Sequence, residues 1–189
     1  MEEGKLSKKD IKIVIAAHKP YRMPEDTMYV PLHVGAEGKK NPDGTPLDLG
    51  YQKDNEGDNI SAKNPNYCEL TGIYYAWKNI PAEYLGLVHY RRYFKGKNKS
   101  KDPFACIVTE PEMEKIFETH RIVVPKKRKY YIETLYSHYA HTHYAEHLDC
   151  VREIIGEQCP DYLNSYDKVI KQTSGYMFNM MVMERALFD

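Results

Sequence analysis

The sequence predicts an α/β fold of three layers, with helices on both faces of a mostly parallel sheet. Three observations predict it. Short, nearly continuous apolar runs suit strands covered on both faces, amphipathic segments lie between them, and polar clusters follow the runs directly. Ile11 to Ala17 is β-branched and apolar and reads as the first strand. His18-Lys19-Pro20-Tyr21 comes next, at the place where ligands of open α/β sheets gather. Tyr29 to Val34 reads as a second, short strand, and Gly35 to Gly57 as a long polar loop that either moves or closes over a ligand.

Asn64-Pro65 predicts a helix start, with Asn64 as N-cap and Pro65 at the first helical position, where its missing N–H costs nothing. Tyr67, Leu70, Tyr74 and Trp77 keep helical spacing, and Pro81 ends the segment near Asn79. Tyr84 to Val88 reads as a buried strand leading into His89-Tyr90-Arg91-Arg92. Beyond a basic stretch from Lys95 to Lys101, a helix over Glu110 to Thr119 and a strand over Arg121 to Pro125 are expected. Thr134 to Glu157 reads as helical, interrupted near Ala140 to Thr142, with Leu148, Val151, Ile154 and Ile155 as its apolar stripe. A further helix or turn over Asp161 to Lys171 precedes a strand over Thr173 to Met180. A helix beginning at Met183 meets no stop signal before Asp189, which predicts a missing carboxyl-terminal helical end. Residues 1–10 are expected to be a flexible segment and 11–189 a single domain.

The 189 residues and 22.1 kDa suit one ordinary domain. Formal charges cancel to +0, so no global field draws the chain to nucleic acid, and an anion site must be local. The 17 tyrosines against 5 phenylalanines suit half-buried clefts and sugar-stacking surfaces as well as a plain tyrosine-rich core. Cys68, Cys106, Cys150 and Cys159 form no CxxC pair and no leader precedes them, which predicts reduced thiols and a cytoplasmic chain. No apolar run approaches the roughly 20 residues that span a bilayer.

Three constellations could carry chemistry. His143-Tyr144-Ala145-Glu146-His147 matches the H-x-x-E-H zinc pattern, but on a straight helix of about 100° per residue His138 and His141 would face away from His143 and His147. A zinc-dependent hydrolase is therefore the weakest alternative. Arg91 and Arg92, directly after a buried strand, could offer planar charged forks to a diphosphate, and strand alternation would turn only one of them inward. The competing reading pairs both with surface acids. Gly57-Asp58-Asn59-Ile60-Ser61 leads into a helix amino terminus that favours anions, and Asp58 and Asn59 could bond a ribose or sugar hydroxyl, capping being the plainer account. No Walker loop, G-x-G-x-x-G turn or G-x-S-x-G elbow is present, which weighs against kinases, dehydrogenases and α/β-hydrolases.

Taken together, His18 to Tyr21, Gly57 to Ser61, Asn64-Pro65-Asn66-Tyr67-Cys68-Glu69-Leu70-Thr71, Gly86-Leu87-Val88-His89-Tyr90-Arg91-Arg92-Tyr93-Phe94 and Met177-Phe178-Asn179-Met180 resemble a bacterial family known as domain of unknown function 4422. Its members sit among capsule, exopolysaccharide and lipopolysaccharide genes and are taken to be glycosyltransferases. The resemblance implies a GT-A-like domain that binds a nucleotide-sugar donor, a UDP-sugar favoured, and a glycan or lipid-linked acceptor. It also implies possible peripheral association with membrane-bound assembly proteins. It puts Ala17, His18 and Tyr21 near the base. The usual GT-A strand ends in a D-x-D motif that binds Mg²⁺ or Mn²⁺, whereas the corresponding strand here ends His89-Tyr90-Arg91, so Arg91 or Arg92 would take over charge neutralisation. His89, at the strand end, and Glu146 or Asp149, as base, are the expected catalytic side chains. The alternative within the same family is a catalytically silent sugar-binding or scaffold protein.

Overall fold

The computed structural model describes residues 8–189. They group into two compact units, one running to Val124 and resuming at Asn179–Asp189, the other Pro125–Phe178. Most of the segment expected to be flexible, residues 1–7, lies outside the described residues. Within the rest of it, the Lys9 backbone N–H donates to Glu114 at 3.2 Å and that of Asp10 to Glu83 at 3.1 Å.

The first unit carries a mixed six-stranded sheet. Its strands are β1 (Ile11–Ala17), β2 (Tyr29–His33), β3 (Gln52–Lys53), β4 (Tyr84–His89), β5 (Ile122–Val123) and β8 (Met181–Glu184), in the spatial order β3-β2-β1-β4-β8-β5. β3, β2, β1 and β4 are parallel, while β8 runs antiparallel between β4 and β5. Alternation along β1 divides the core into two layers. Ile11, Ile13, Ile15 and Ala17 pack with Met113 and Phe117 on one face, whereas Val14 and Ala16 join Leu32, Tyr75, Ala76, Leu85 and Leu87 on the other. Burial on both faces is why β1 lacks the polar–apolar alternation of a half-exposed strand.

The helices of this unit differ in detail from the sequence expectation. The segment expected as one helix is two, α1 (Asn64–Tyr67) and α2 (Leu70–Asn79), broken at Cys68, whose φ of 49° and ψ of −131° no helix can contain. Asn64 is the first helical residue and not the N-cap, which is Lys63. Its amide is engaged at the break, with Nδ2 donating to the Cys68 carbonyl at 2.7 Å and to Thr71 Oγ1 at 3.1 Å. Helix α3 (Glu110–Ile116) opens on a capping box formed by Thr109 and Glu112.

The largest departure is at the carboxyl end. Met183 and Glu184, expected to begin a helix, lie in strand β8, and only Arg185–Phe188 is helical. Pairing with β4 overrides local propensity, since Gly86 lies opposite Val182 and has no side chain to keep that strand away. A Cβ on Gly86 would meet the Met181 carbonyl oxygen at 2.6 Å and Val182 Cγ2 at 2.8 Å.

In the second unit, β6 (Arg128–Lys129) pairs antiparallel with β7 (Ser174–Gly175), so the strand expected over 173–180 shrinks to two residues. Helices α4 (Leu135–Thr142), α5 (Ala145–Gln158) and α6 (Leu163–Ile170) make up the rest, with a 3-10 turn at Pro160–Tyr162. The expected interruption occurs at His143, whose φ of −143° and ψ of −149° end α4. The expected apolar stripe of α5 stays largely open, with Val151 and Ile154 exposed.

Gly86→Ala is expected to lower stability by about 1–3 kcal/mol, because backbone as well as side chain must shift to admit the methyl group. Urea unfolding followed by circular dichroism measures it.

Candidate functional site

The carboxyl ends of β1, β2 and β4 meet the break between α1 and α2 around a cleft of about 360 Å³. The strand ends contribute Ala16, His18, Val34 and His89, and the helix break contributes Asn64, Cys68 and Glu69. Tyr90, Arg91 and Arg92 complete the lining. Both arginines face it because β4 does not continue as an extended strand. His89 and Arg92 close a tight turn, the His89 N–H donating to the Arg92 carbonyl at 3.2 Å and the Arg92 N–H to the His89 carbonyl at 2.9 Å. Alternation, which would have pointed one arginine away, therefore ends at His89. The Tyr90 N–H donates to the Ala16 carbonyl at 3.2 Å and ties the turn to β1.

Tyr90 is the hub of this rim. Its buried ring meets His18 edge-on at 5.2 Å and Tyr21 at 5.3 Å, while Arg91 and Lys19 approach within 5.1 and 5.7 Å of its centroid. Burial, with help from the positive charges of Lys19, Arg91 and Lys39, holds the His18 imidazole below its ordinary range. At neutral pH it is an uncharged hydrogen-bonding group beside cations. The rim as a whole is built for an anion, and guanidinium forks match phosphate oxygens.

A buried carboxylate supports the opposite end of the lining. Asp54, fully buried, accepts from the backbone N–H groups of Gly35 at 2.7 Å and Ala36 at 3.0 Å, and from the hydroxyls of Ser61 and Thr71. Ser61 lies just before α1 and Thr71 in the first turn of α2. Both ends of the segment carrying Asn64, Cys68 and Glu69 are therefore fastened to one side chain. Beside it, His33 is buried and its Nδ1 has no hydrogen-bond partner among the described residues. Desolvation holds its pKa down, against the charge of Asp54 and with those of Lys53 and Lys39.

The other expected site residues are placed as follows. Ala17 is wholly buried at the end of β1, its carbonyl accepting from the Val34 N–H at 3.0 Å, and its neighbour Ala16 lines the cleft. Tyr21 lines a second, aromatic cleft of about 390 Å³ with Arg91, Tyr93, Phe94 and Phe104, and is fixed by reciprocal bonds of its backbone to the Tyr51 hydroxyl, both 2.9 Å. Asp58 and Asn59 line neither cleft. Asp58 accepts from the Tyr74 hydroxyl at 3.0 Å, and the Asn59 amide bonds Gly57 and Ser61 within its own loop. In the second unit, Glu146 is exposed in the first turn of α5, and Asp149 accepts from the Tyr136 hydroxyl at 3.1 Å.

The histidines of that unit are otherwise engaged. His138 and His141 both bond Glu133, at 2.8 and 2.6 Å, while His143 stacks on Tyr139 and His147 Nδ1 meets the Tyr139 hydroxyl at 3.1 Å. Because His143 ends α4 and His147 lies in α5, the H-x-x-E-H segment is not one helical face. In the cleft of the first unit, Mg²⁺ or Mn²⁺ would need several oxygen ligands, and the lining offers one carboxylate, Glu69, beside two arginines. That donor set does not fit either ion.

Asp54 and Glu69 are the site residues that sequence reasoning missed. Asp54 stands in a loop with other acids, and nothing local marks it as the one that is buried. Glu69 is part of a segment already singled out, and its position two residues before Thr71 is the available signal.

The sequence profile of a family described as domain of unknown function (DUF4422) matches residues 12–189. A solved structure titled as the apo form of the bifunctional glycosyltransferase WbbM is similar at a TM-score of 0.80 and 29% sequence identity, over 95% of this chain and 34% of that one. The fold is thus GT-A-like, and the chain spans about a third of that protein's length. No curated protein matches the sequence.

Asp54→Ala is expected to lower stability by about 3 kcal/mol or more, since four donors lose their acceptor at once, and denaturant unfolding measures it. His33 adds a pH dependence. Its folded pKa lies below the unfolded value of about 6.5, so the unfolded chain takes up the proton first and stability falls as pH drops below that value. Melting at pH 7.5 and 5.5 should show this loss in the wild type and a smaller one in His33→Leu.

Proposed function

This chain belongs to the DUF4422 family, and from that premise we propose that it is a glycosyltransferase of the hexosyltransferase type. It moves a sugar from a nucleoside-diphosphate donor, a UDP-sugar favoured, to a glycan or lipid-linked acceptor of a bacterial surface polysaccharide. One observation carries the reading: in a GT-A-like sheet, the turn at the end of β4 presents Arg91 and Arg92 to a cleft at the carboxyl edge. In this reading the two guanidinium groups hold the donor diphosphate and take up the charge that develops on it as the anomeric bond breaks. His18 and the Tyr21–Tyr90 pair flank the nucleoside, with Ala17 closing the strand beneath. His89 sits at the reacting end. No step is routed through a divalent metal.

No described helix is long and apolar enough to cross a membrane. The proposed setting is the cytoplasm, with contact to membrane-bound assembly proteins at its inner face.

Calorimetry with a panel of UDP-, GDP- and CMP-sugars tests the reading, a UDP- or GDP-sugar being expected to bind, and silence from all of them, or binding of CMP-sugars alone, counting against it. For the donor that binds, Arg91→Ala and Arg92→Ala should each weaken affinity by roughly tenfold or more, as loss of a charged hydrogen bond of about 1.5–3 kcal/mol requires. Unchanged affinity in both variants would remove the arginines from the donor site.

A further inference from the structure

Resting on that reading, we infer that Glu69 is the catalytic base that deprotonates the acceptor hydroxyl, and that Asn179 is the residue that positions it. Of the residues lining the cleft, Glu69 is the one with a carboxylate. It is half-buried at the entrance to α2, where its backbone carbonyl accepts from Gly72 and Ile73 at 3.0 and 3.2 Å and so fixes the main chain beneath the side chain. Asn179 Nδ2 donates to Glu69 Oε1 at 3.0 Å, which orients the carboxyl group, and among the described residues Oε2 takes no hydrogen bond. The Asn179 backbone is left-handed, with φ of 52°, a conformation asparagine tolerates better than most residues. This contact joins two residues 110 positions apart, Glu69 at the helix break and Asn179 just ahead of β8.

Two imidazoles, His18 and His89, also line the cleft. His18 lies beside Lys19, Arg91 and Lys39, and those charges oppose the imidazolium that a general base must become. Glu69, by contrast, has its carboxyl group oriented by a second side chain, Asn179, within the same unit. The step is a single displacement. Glu69 takes the proton of the acceptor O–H, that oxygen forms its bond to the anomeric carbon, and the bond from that carbon to the donor phosphate oxygen breaks. The electron pair leaves with the nucleoside diphosphate beside Arg91 and Arg92, and the anomeric centre inverts.

The test compares the wild-type protein with Glu69→Gln, which keeps the shape and an acceptor for Asn179 and removes the proton acceptor. Donor affinity is read by calorimetry for the UDP-, GDP- and CMP-sugar panel, and turnover by release of the free nucleotide with water as acceptor. Glu69→Gln should bind the donor within about twofold of wild type and release nucleotide about 10²–10⁴-fold more slowly. Glu69→Asp should recover part of the rate, and Asn179→Gly, which preserves the left-handed backbone, should lower kcat with donor affinity unchanged. Should Glu69→Gln fail to fold, judged by its melting curve, Glu69→Asp and Asn179→Gly decide the matter by the same split between kcat and affinity. Wild-type turnover in these variants overturns the inference, as does donor binding without any turnover in the wild type, or loss of turnover in His89→Gln alone. Failure of every donor to bind instead removes the glycosyltransferase reading, and the inference falls with it.

Discussion

The Asp54 carboxylate is the constraint on which the cleft depends. An ionised carboxyl group taken out of water loses several kcal/mol of hydration unless other donors replace it, and here two backbone N–H groups and two hydroxyls do so. Those donors come from three places in the chain: the loop after β2, the turn before α1 and the first turn of α2. None can drift without exposing the charge to an unpaired environment. The segment between Ser61 and Thr71 is consequently held at both ends, and this allows Cys68 to keep a left-handed backbone that costs a non-glycine residue on the order of 1–3 kcal/mol. The break at Cys68 is what turns Asn64 and Glu69 toward the cleft instead of leaving them along a continuous helix.

A second constraint, steric and not electrostatic, shapes the other side. Gly86 lets β8 lie against β4, so that a carboxyl-terminal segment with helical character becomes an inner strand of the sheet. That pairing carries Asn179, just ahead of β8, to Glu69. The same Gly86 to Phe94 segment then ends its strand in the turn that presents both arginines. Sheet closure, the basic rim and the placement of the carboxylate thus share one short stretch of sequence.

The electrostatic character of the cleft follows from this geometry and not from composition. The chain as a whole is neutral, yet the rim collects Arg91, Arg92 and, close by, Lys19 and Lys39 around an uncharged His18, with Glu69 as the sole acid in the lining. Such an arrangement favours an anion of several charges over a divalent cation. In the proposed reading, fixed guanidinium groups meet the charge of the departing diphosphate and need no reorganisation as it leaves.

Sequence by itself determined the layered α/β fold, the position of β1 to within its own ends, the strand that leads to His89 and the identity of the basic cluster after it. These are properties of local pattern, because continuous β-branched runs and helical spacing are readable wherever burial acts on one element at a time. Tertiary structure alone decided that Asp54 is the buried acid of its loop, that the helix breaks at Cys68, that residues 181–184 form a strand, that both arginines face one cleft and that Glu69 meets Asn179. Each of these depends on partners far away in the chain, and a residue's own neighbours carry no record of which distant group will satisfy its hydrogen bonds or come close enough to demand a glycine.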